Sequence, residues 1–102
     1  MVEIIGQAAA LEMLAEECSE LAQAALKLSR VLRGENPASV TEDRAQADVM
    51  EEWADVLVCS EYLDEMEWFN PLIVNQCIKA KKHRAKERLN NGKGRRTQDA
   101  TA

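Results

Sequence analysis

Two short acidic runs carry the side chains of this sequence best suited to chemistry: Glu16-Glu17-Cys18-Ser19-Glu20 and Glu52-Trp53-Ala54-Asp55. Glu17 and Glu20 are three residues apart, and Glu52 and Asp55 repeat that spacing, so on a helix each pair projects from one side. Four carboxylates converge if the two helices pair. With no His near either run, the set offers only hard oxygen ligands, which suit Mg²⁺, with Mn²⁺ as the alternative, and not zinc or copper. A divalent ion held this way, faced by Lys and Arg and by a carboxylate able to orient water, has the parts needed to hydrolyse a phosphoanhydride.

The elements that must position these runs are legible as helices. Ala, Leu and Glu are plentiful, aromatic content is 4%, and the few Gly and Pro fall at candidate breaks, which predicts an all-α fold: an antiparallel helical bundle with three main helices per chain. The first helix is expected from Gln7 to Leu32, with Gly34 as its C-terminal signal, after a frayed start over residues 1–5 and a weakening Gly6. Gly34 to Ala38 reads as a loop. Ser39 with Glu42 forms a capping box for the second helix, Thr41 being the nearby substitute, and that helix is expected to continue to about Met66. Asn70-Pro71 opens a third helix, expected to run to Leu89 and to end at Asn90-Asn91-Gly92. Residues 1–91 read as one domain and 92–102 as a flexible basic tail.

Rise arithmetic brings the two runs to one level. From Glu20 to Arg33, and from Ser39 to Glu52, the helical rise is roughly 20 Å each way at 1.5 Å per residue. The apolar stripe of the first helix reads as Leu11, Leu14, Cys18, Leu21, Ala25, Leu28 and Leu32, with Glu17 at its flank. In the second it reads as Val49, Trp53, Val56, Ser60 and Leu63, with Glu52 inside the arc and Asp48 and Asp55 beside it. Carboxylates at a buried seam are costly unless a cation accompanies them, and residues 1–78 hold only Lys27, Arg30, Arg33 and Arg44 as basic side chains. A divalent metal fits that shortage of cations.

Charge is divided unevenly. Residues 1–78 carry 16 acidic and 4 basic residues, whereas residues 79–102 carry 9 basic and 2 acidic. The same rise arithmetic carries the basic segment of the third helix, around Arg84, back toward the level of the carboxylates. Trp53 reads as core on its stripe, with stacking on a base as its functional alternative. Cys18, Cys59 and Cys77 lack any Cys-x-x-Cys pairing and read as small core residues. No stretch is long enough for a membrane span and no basic segment precedes an apolar run at the N-terminus, which leads to the expectation of a cytoplasmic protein without membrane partners. The acidic body argues against specific nucleic-acid binding, and a ferritin-type di-metal bundle would need Glu-x-x-His pairs that are absent.

The run Glu16-Glu17-x-x-Glu20, followed on a second helix by Glu52-x-x-Asp55 in the context Met-Glu-Glu-Trp-Ala-Asp-Val-Leu-Val, resembles the MazG-like nucleotide pyrophosphohydrolases of the all-α NTP pyrophosphatase superfamily. The resemblance covers residues 7–65 well and the third helix loosely; the 31 residues from 21 to 51 between the motifs exceed the family's usual spacing, which a longer hairpin absorbs. It implies Mg²⁺-dependent hydrolysis of a nucleoside triphosphate between its α and β phosphates, with Glu17, Glu20, Glu52 and Asp55 as metal ligands. It further implies Glu16 and Glu17 as the catalytic carboxylates, Glu16 as an outer-shell or water-orienting group, Asn75, Lys79, Lys82 and Arg84 of the loosely matching third helix as candidates for phosphate or sugar contacts, and assembly into a homodimer or dimer of dimers that completes the bundle. The competing expectation is a non-catalytic oligomerisation or interaction module whose acidic runs are solvated helix faces.

Overall fold

The structure, a computed structural model, describes residues 1–35 and 40–101, with side chains through residue 92. The described residues form helices and contain no strand: α1 (Val2–Ile5), α2 (Gln7–Leu32), α3 (Glu42–Ser60), a 3₁₀ turn (Glu61–Glu65) and α4 (Pro71–Thr101). They divide into two compact units, Met1–Phe69 and Asn70–Ala102. None of the described helices is long and apolar enough to cross a membrane.

In the first unit α2 and α3 pack as an antiparallel hairpin, Ala10 at one end of α2 clustering with Met66 beyond α3, and Leu28 near the other end lining one depression with Val49. The inward face of α2 is Ala10, Leu14, Glu17, Leu21, Ala24, Leu28 and Val31, all buried or half-buried, and that of α3 with its extension is Ala45, Val49, Glu52, Val56, Cys59, Leu63 and Met66. Both sets alternate steps of four and three, the 3.5-residue period of a coiled-coil seam. The seam is therefore rotated from the expected stripe. Leu11, Cys18, Ala25, Leu32 and Trp53 are exposed, whereas Glu17 lies within the seam instead of at its flank. Trp53, 51% exposed, is not a core residue. Of the cysteines only Cys59 is buried, so the core expectation fails for Cys18 and Cys77.

Local chemistry explains where the helices stop. At the end of α2, Gly34 takes φ 70°, its N–H donating to Val31 O at 3.0 Å while the Glu35 N–H donates to Arg30 O at 3.0 Å. These are the two bonds of a Schellman motif, and they need a left-handed residue that glycine supplies without strain. The Ser39 box lies outside the described residues; Thr41 is the N-cap of α3, its Oγ1 accepting from Arg44 N at 3.1 Å. Glu42 and Asp43 add negative charge in the first turn, which the helix dipole favours.

The second helix stops short of Met66. Ser60 Oγ donates to Leu57 O at 2.7 Å, drawing on a carbonyl of the helical ladder, and the chain tightens into the 3₁₀ turn. That turn places Tyr62 and Leu63 on a small core of Val2, Ala10 and Met66, joined by Ile5 and Phe69. The expected fraying of residues 1–5 is also corrected, because Glu65 accepts from the terminal amino group at 2.9 Å and from Val2 N at 3.1 Å. These bonds hold the Glu65 carboxyl below the usual carboxylate range. A partner more than sixty residues away fixes the start of the chain.

In the second unit Asn70 caps α4 as expected, Oδ1 accepting from Leu72 N at 2.9 Å, with Pro71 at the first helical position. The helix does not end at Asn90-Asn91-Gly92 but continues to Thr101. Gly92, unlike Gly6 and Gly34, does not take a positive φ. Within a helix such a residue costs only about 1 kcal/mol relative to alanine, so it weakens the helix without ending it.

Thr41→Ala should lower the stability of the first unit by about 1 kcal/mol, a fall in Tm of several degrees for a domain of this size, while Thr41→Ser should leave the melting curve nearly unchanged.

Candidate metal centre

The four acidic side chains meet at mid-hairpin. One carboxylate oxygen from each of Glu17, Glu20, Glu52 and Asp55 lies within 4.8 Å of every other. Each helix contributes one half-buried member from the seam, Glu17 or Glu52, and one exposed member a turn further on, Glu20 or Asp55. The seam positions aim their carboxylates inward, and the i, i+3 spacing brings the second pair over them.

Electrostatics mark the seam pair as strained in ionised form. The Oε2 atoms of Glu17 and Glu52 are buried and have no hydrogen-bond partner among the described residues. Both carboxyls are pushed above the ordinary glutamate range. For Glu17 the causes are burial first, then the charges of Glu20 and Asp55, a hydrogen bond shared with Glu20, and last the charge of Glu16. For Glu52 they are burial, then the charge of Glu20 and a hydrogen bond with it, and then Asp55 and Glu17. Among the described residues no ion pair involves any of the four. The buried thiol of Cys59 lies in the same field and is pushed up by burial, then by Glu17, Asp55 and Cys18. A thiol held neutral in this way is a poor nucleophile.

The donor set fits a hard divalent cation. Oxygens on opposite sides of an ion lie about 4 Å apart for Mg²⁺ and about 5 Å apart for Ca²⁺; an oxygen group spanning up to 4.8 Å takes a Ca²⁺-sized ion as it stands and must draw in by less than about 1 Å to close on Mg²⁺. The orphaned Oε2 atoms are inner positions that such a cation would satisfy.

The remaining sequence candidates fall elsewhere. Glu16 is exposed and outside the group of four, close enough for its charge to act on Glu17. Trp53 is exposed beside Glu52 on α3. Asn75, Lys79, Lys82 and Arg84 all lie on α4 in the second unit, where Arg84 joins Lys81, Ala85 and Arg88 around a depression of about 340 Å³. One neighbourhood was missed from sequence. An open depression of about 530 Å³ is bounded by Glu20 and Glu52 and extends along the hairpin past Gln23 and Asp48 to Lys27 and Arg44. The signal was present, since Lys27 follows Glu20 by seven residues and Arg44 precedes Glu52 by eight, spacings that return to the same helix face.

The chain matches no family model, no curated protein and no solved structure.

Raised carboxyl pKa values fix the sign of a stability test. The Glu17 and Glu52 carboxyls bind protons more tightly folded than unfolded, so their contribution is fully present below the unfolded glutamate pKa and is lost as pH rises through the raised folded values. Metal-free protein in a chelator at pH 7 should therefore melt at a higher temperature as Glu17→Gln or Glu52→Gln than as wild type. Mg²⁺ should raise the wild-type Tm and have much less effect on either variant. Thermal melts at pH 4 and 7, with and without Mg²⁺, check both signs.

Proposed function

We propose that the chain is a Mg²⁺-dependent nucleoside triphosphate pyrophosphohydrolase of the MazG-like type, adding water across the α–β phosphoanhydride to give a (d)NMP and pyrophosphate. The observation that carries this reading is the convergence of Glu17, Glu20, Glu52 and Asp55 from two helices, with two buried oxygens lacking a partner among the described residues. A solvated acidic face would turn its carboxylates to water, where each is satisfied. The order of the motifs, Glu-Glu-x-x-Glu before Glu-x-x-Asp, supports the choice of reaction among the hydrolyses that an all-oxygen metal site can serve.

Glu17, Glu20, Glu52 and Asp55 would hold the cation, with Mn²⁺ as a possible substitute for Mg²⁺. Bound there, the ion supplies positive charge to phosphate oxygens and so stabilises charge developing during phosphoryl transfer. Glu16, exposed and one residue before a ligand, is placed to accept a hydrogen bond from a water and orient it toward phosphorus. Trp53, exposed beside Glu52, offers a ring for stacking on a base. This reading places the protein in the cytoplasm.

Self-association belongs to the same reading. Met50, Trp53 and Leu57 form one exposed apolar row on α3, and Leu11, Ala15, Cys18, Ala22 and Ala25 form another on α2. Rows of this kind on a small domain suit a homodimer or dimer of dimers that completes a bundle around the hairpin.

With Mg²⁺ or Mn²⁺ and a panel of ordinary and modified (d)NTPs, pyrophosphate and monophosphate should appear from one or a few substrates, and Glu52→Gln should slow turnover at least about a hundredfold. No turnover with either ion, together with melting that ignores the metal, would favour the interaction module in its place.

A further inference from the structure

We infer that Lys27 and Arg44 form a subsite for the distal phosphates of the substrate, holding the part that leaves as pyrophosphate; this deepens the hydrolase reading and rests on it. The depression that begins at Glu20 and Glu52 ends at these two cations. Along α2, Lys27 lies seven residues beyond Glu20, a rise of about 10 Å, and along α3 Arg44 lies eight residues before Glu52, about 12 Å. The helices run antiparallel, so both cations stand at one level, on the side of the carboxylates toward the hairpin turn.

Charge makes the placement informative. The first unit carries 16 acidic and 4 basic side chains, and two of those four cations border this one depression. They are not consumed in neutralising the carboxylate centre. Among the described residues Arg44 pairs with Asp48 alone, at 3.3 Å, with its own side chain 74% exposed. Asp48 is half-buried but the guanidinium stands in solvent; a single i, i+4 pair open to water on its cationic side is worth on the order of half a kcal/mol, so Arg44 can exchange Asp48 for a phosphate at little cost. Lys27 is half-buried, and no described carboxylate lies within ion-pairing distance of it. Gln23, between them and Glu20, adds an amide donor to the same wall.

A ligand that satisfies both ends must be an elongated polyanion, with oxygens for a cation at the four carboxylates and further negative charge toward Lys27 and Arg44. A tripolyphosphate chain has that form; a monophosphate cannot reach both. The arrangement sets a direction, with distal phosphates toward the hairpin turn and the nucleoside on the opposite side of the carboxylates. It also predicts selection for triphosphates, since the charge read at Lys27 and Arg44 is absent from monophosphates and only partly present in diphosphates.

Calorimetric titration tests this with two probes on the intact chain: Mg²⁺ alone, and methylenediphosphonate in the presence of Mg²⁺ as an unhydrolysable stand-in for pyrophosphate. Lys27→Gln and Arg44→Gln should each bind the diphosphonate roughly tenfold more weakly, Lys27→Arg should recover most of the loss, and the affinity for Mg²⁺ alone should not fall in any of them. In turnover assays KM for the triphosphate should rise more than kcat falls. Diphosphonate affinity unchanged in Lys27→Gln and Arg44→Gln, with Mg²⁺ still bound, would overturn the subsite and leave the hydrolase standing. Failure of wild-type protein to bind Mg²⁺ at all would overturn the metal centre, and the subsite with it.

Discussion

The first unit is governed by one constraint: two glutamates occupy positions in a helical seam that apolar residues would ordinarily fill. Removing a carboxylate from water is expensive unless a cation or several donors replace the solvent, and Glu17 and Glu52 each retain a buried oxygen with no partner among the described residues. The hairpin tolerates them because the seam continues on both sides. Leu14 and Val56 lie on one side, and Leu21, Ala24, Leu28 and Val49 on the other. The small residues Ala10, Ala24 and Ala45, each buried, let the helices approach closely enough for carboxylates from both to share a centre. The Schellman turn at Gly34 and the Thr41 cap set where each helix ends at the turn side. The Glu65 contacts and the Val2–Ala10–Met66 core close the other end.

Much of this was readable from residues, for local reasons. Gly34, Asn70-Pro71 and Thr41 act through their own backbone preferences or through side chains that reach two or three residues along the chain, so their effects belong to the sequence itself. The four carboxylates were also readable, because three-residue spacing on a helix and equal distances from the turn are matters of counting. The rotation of the seam was not. Helix α2 has apolar residues on more than one face, Leu11, Ala15, Cys18, Ala22 and Ala25 forming a row as convincing as the true seam, and hydropathy counts a seam glutamate against the face that holds it. The strongest functional signal was thus the feature that displaced the expected stripe. The order at residues 1–5 was hidden for another reason, since Glu65 is remote in sequence. The continuation of α4 through Gly92 was hidden because a helix-weakening residue and a helix-ending one look alike without their dihedral angles.

The choice between a solvated acidic face and a binding centre turns on where the nearby cations are. Were the four carboxylates merely structural, the cheapest relief of their repulsion would be an arginine or lysine paired directly with them. Arg44 is instead engaged with Asp48, a helical turn short of Glu52, and Lys27 makes no described ion pair although it shares a depression with Glu20 and Glu52. Side-chain cations are present and set back, while burial first and the neighbouring carboxylates second raise the affinity of Glu17 and Glu52 for protons. That separation suits a ligand bringing charge of both signs: a divalent ion for the carboxylates and an extended anion for Lys27 and Arg44. A metal-bound polyphosphate, the ligand of the proposed function, would meet both demands at once: a seam that holds acids and cations that leave those acids unpaired.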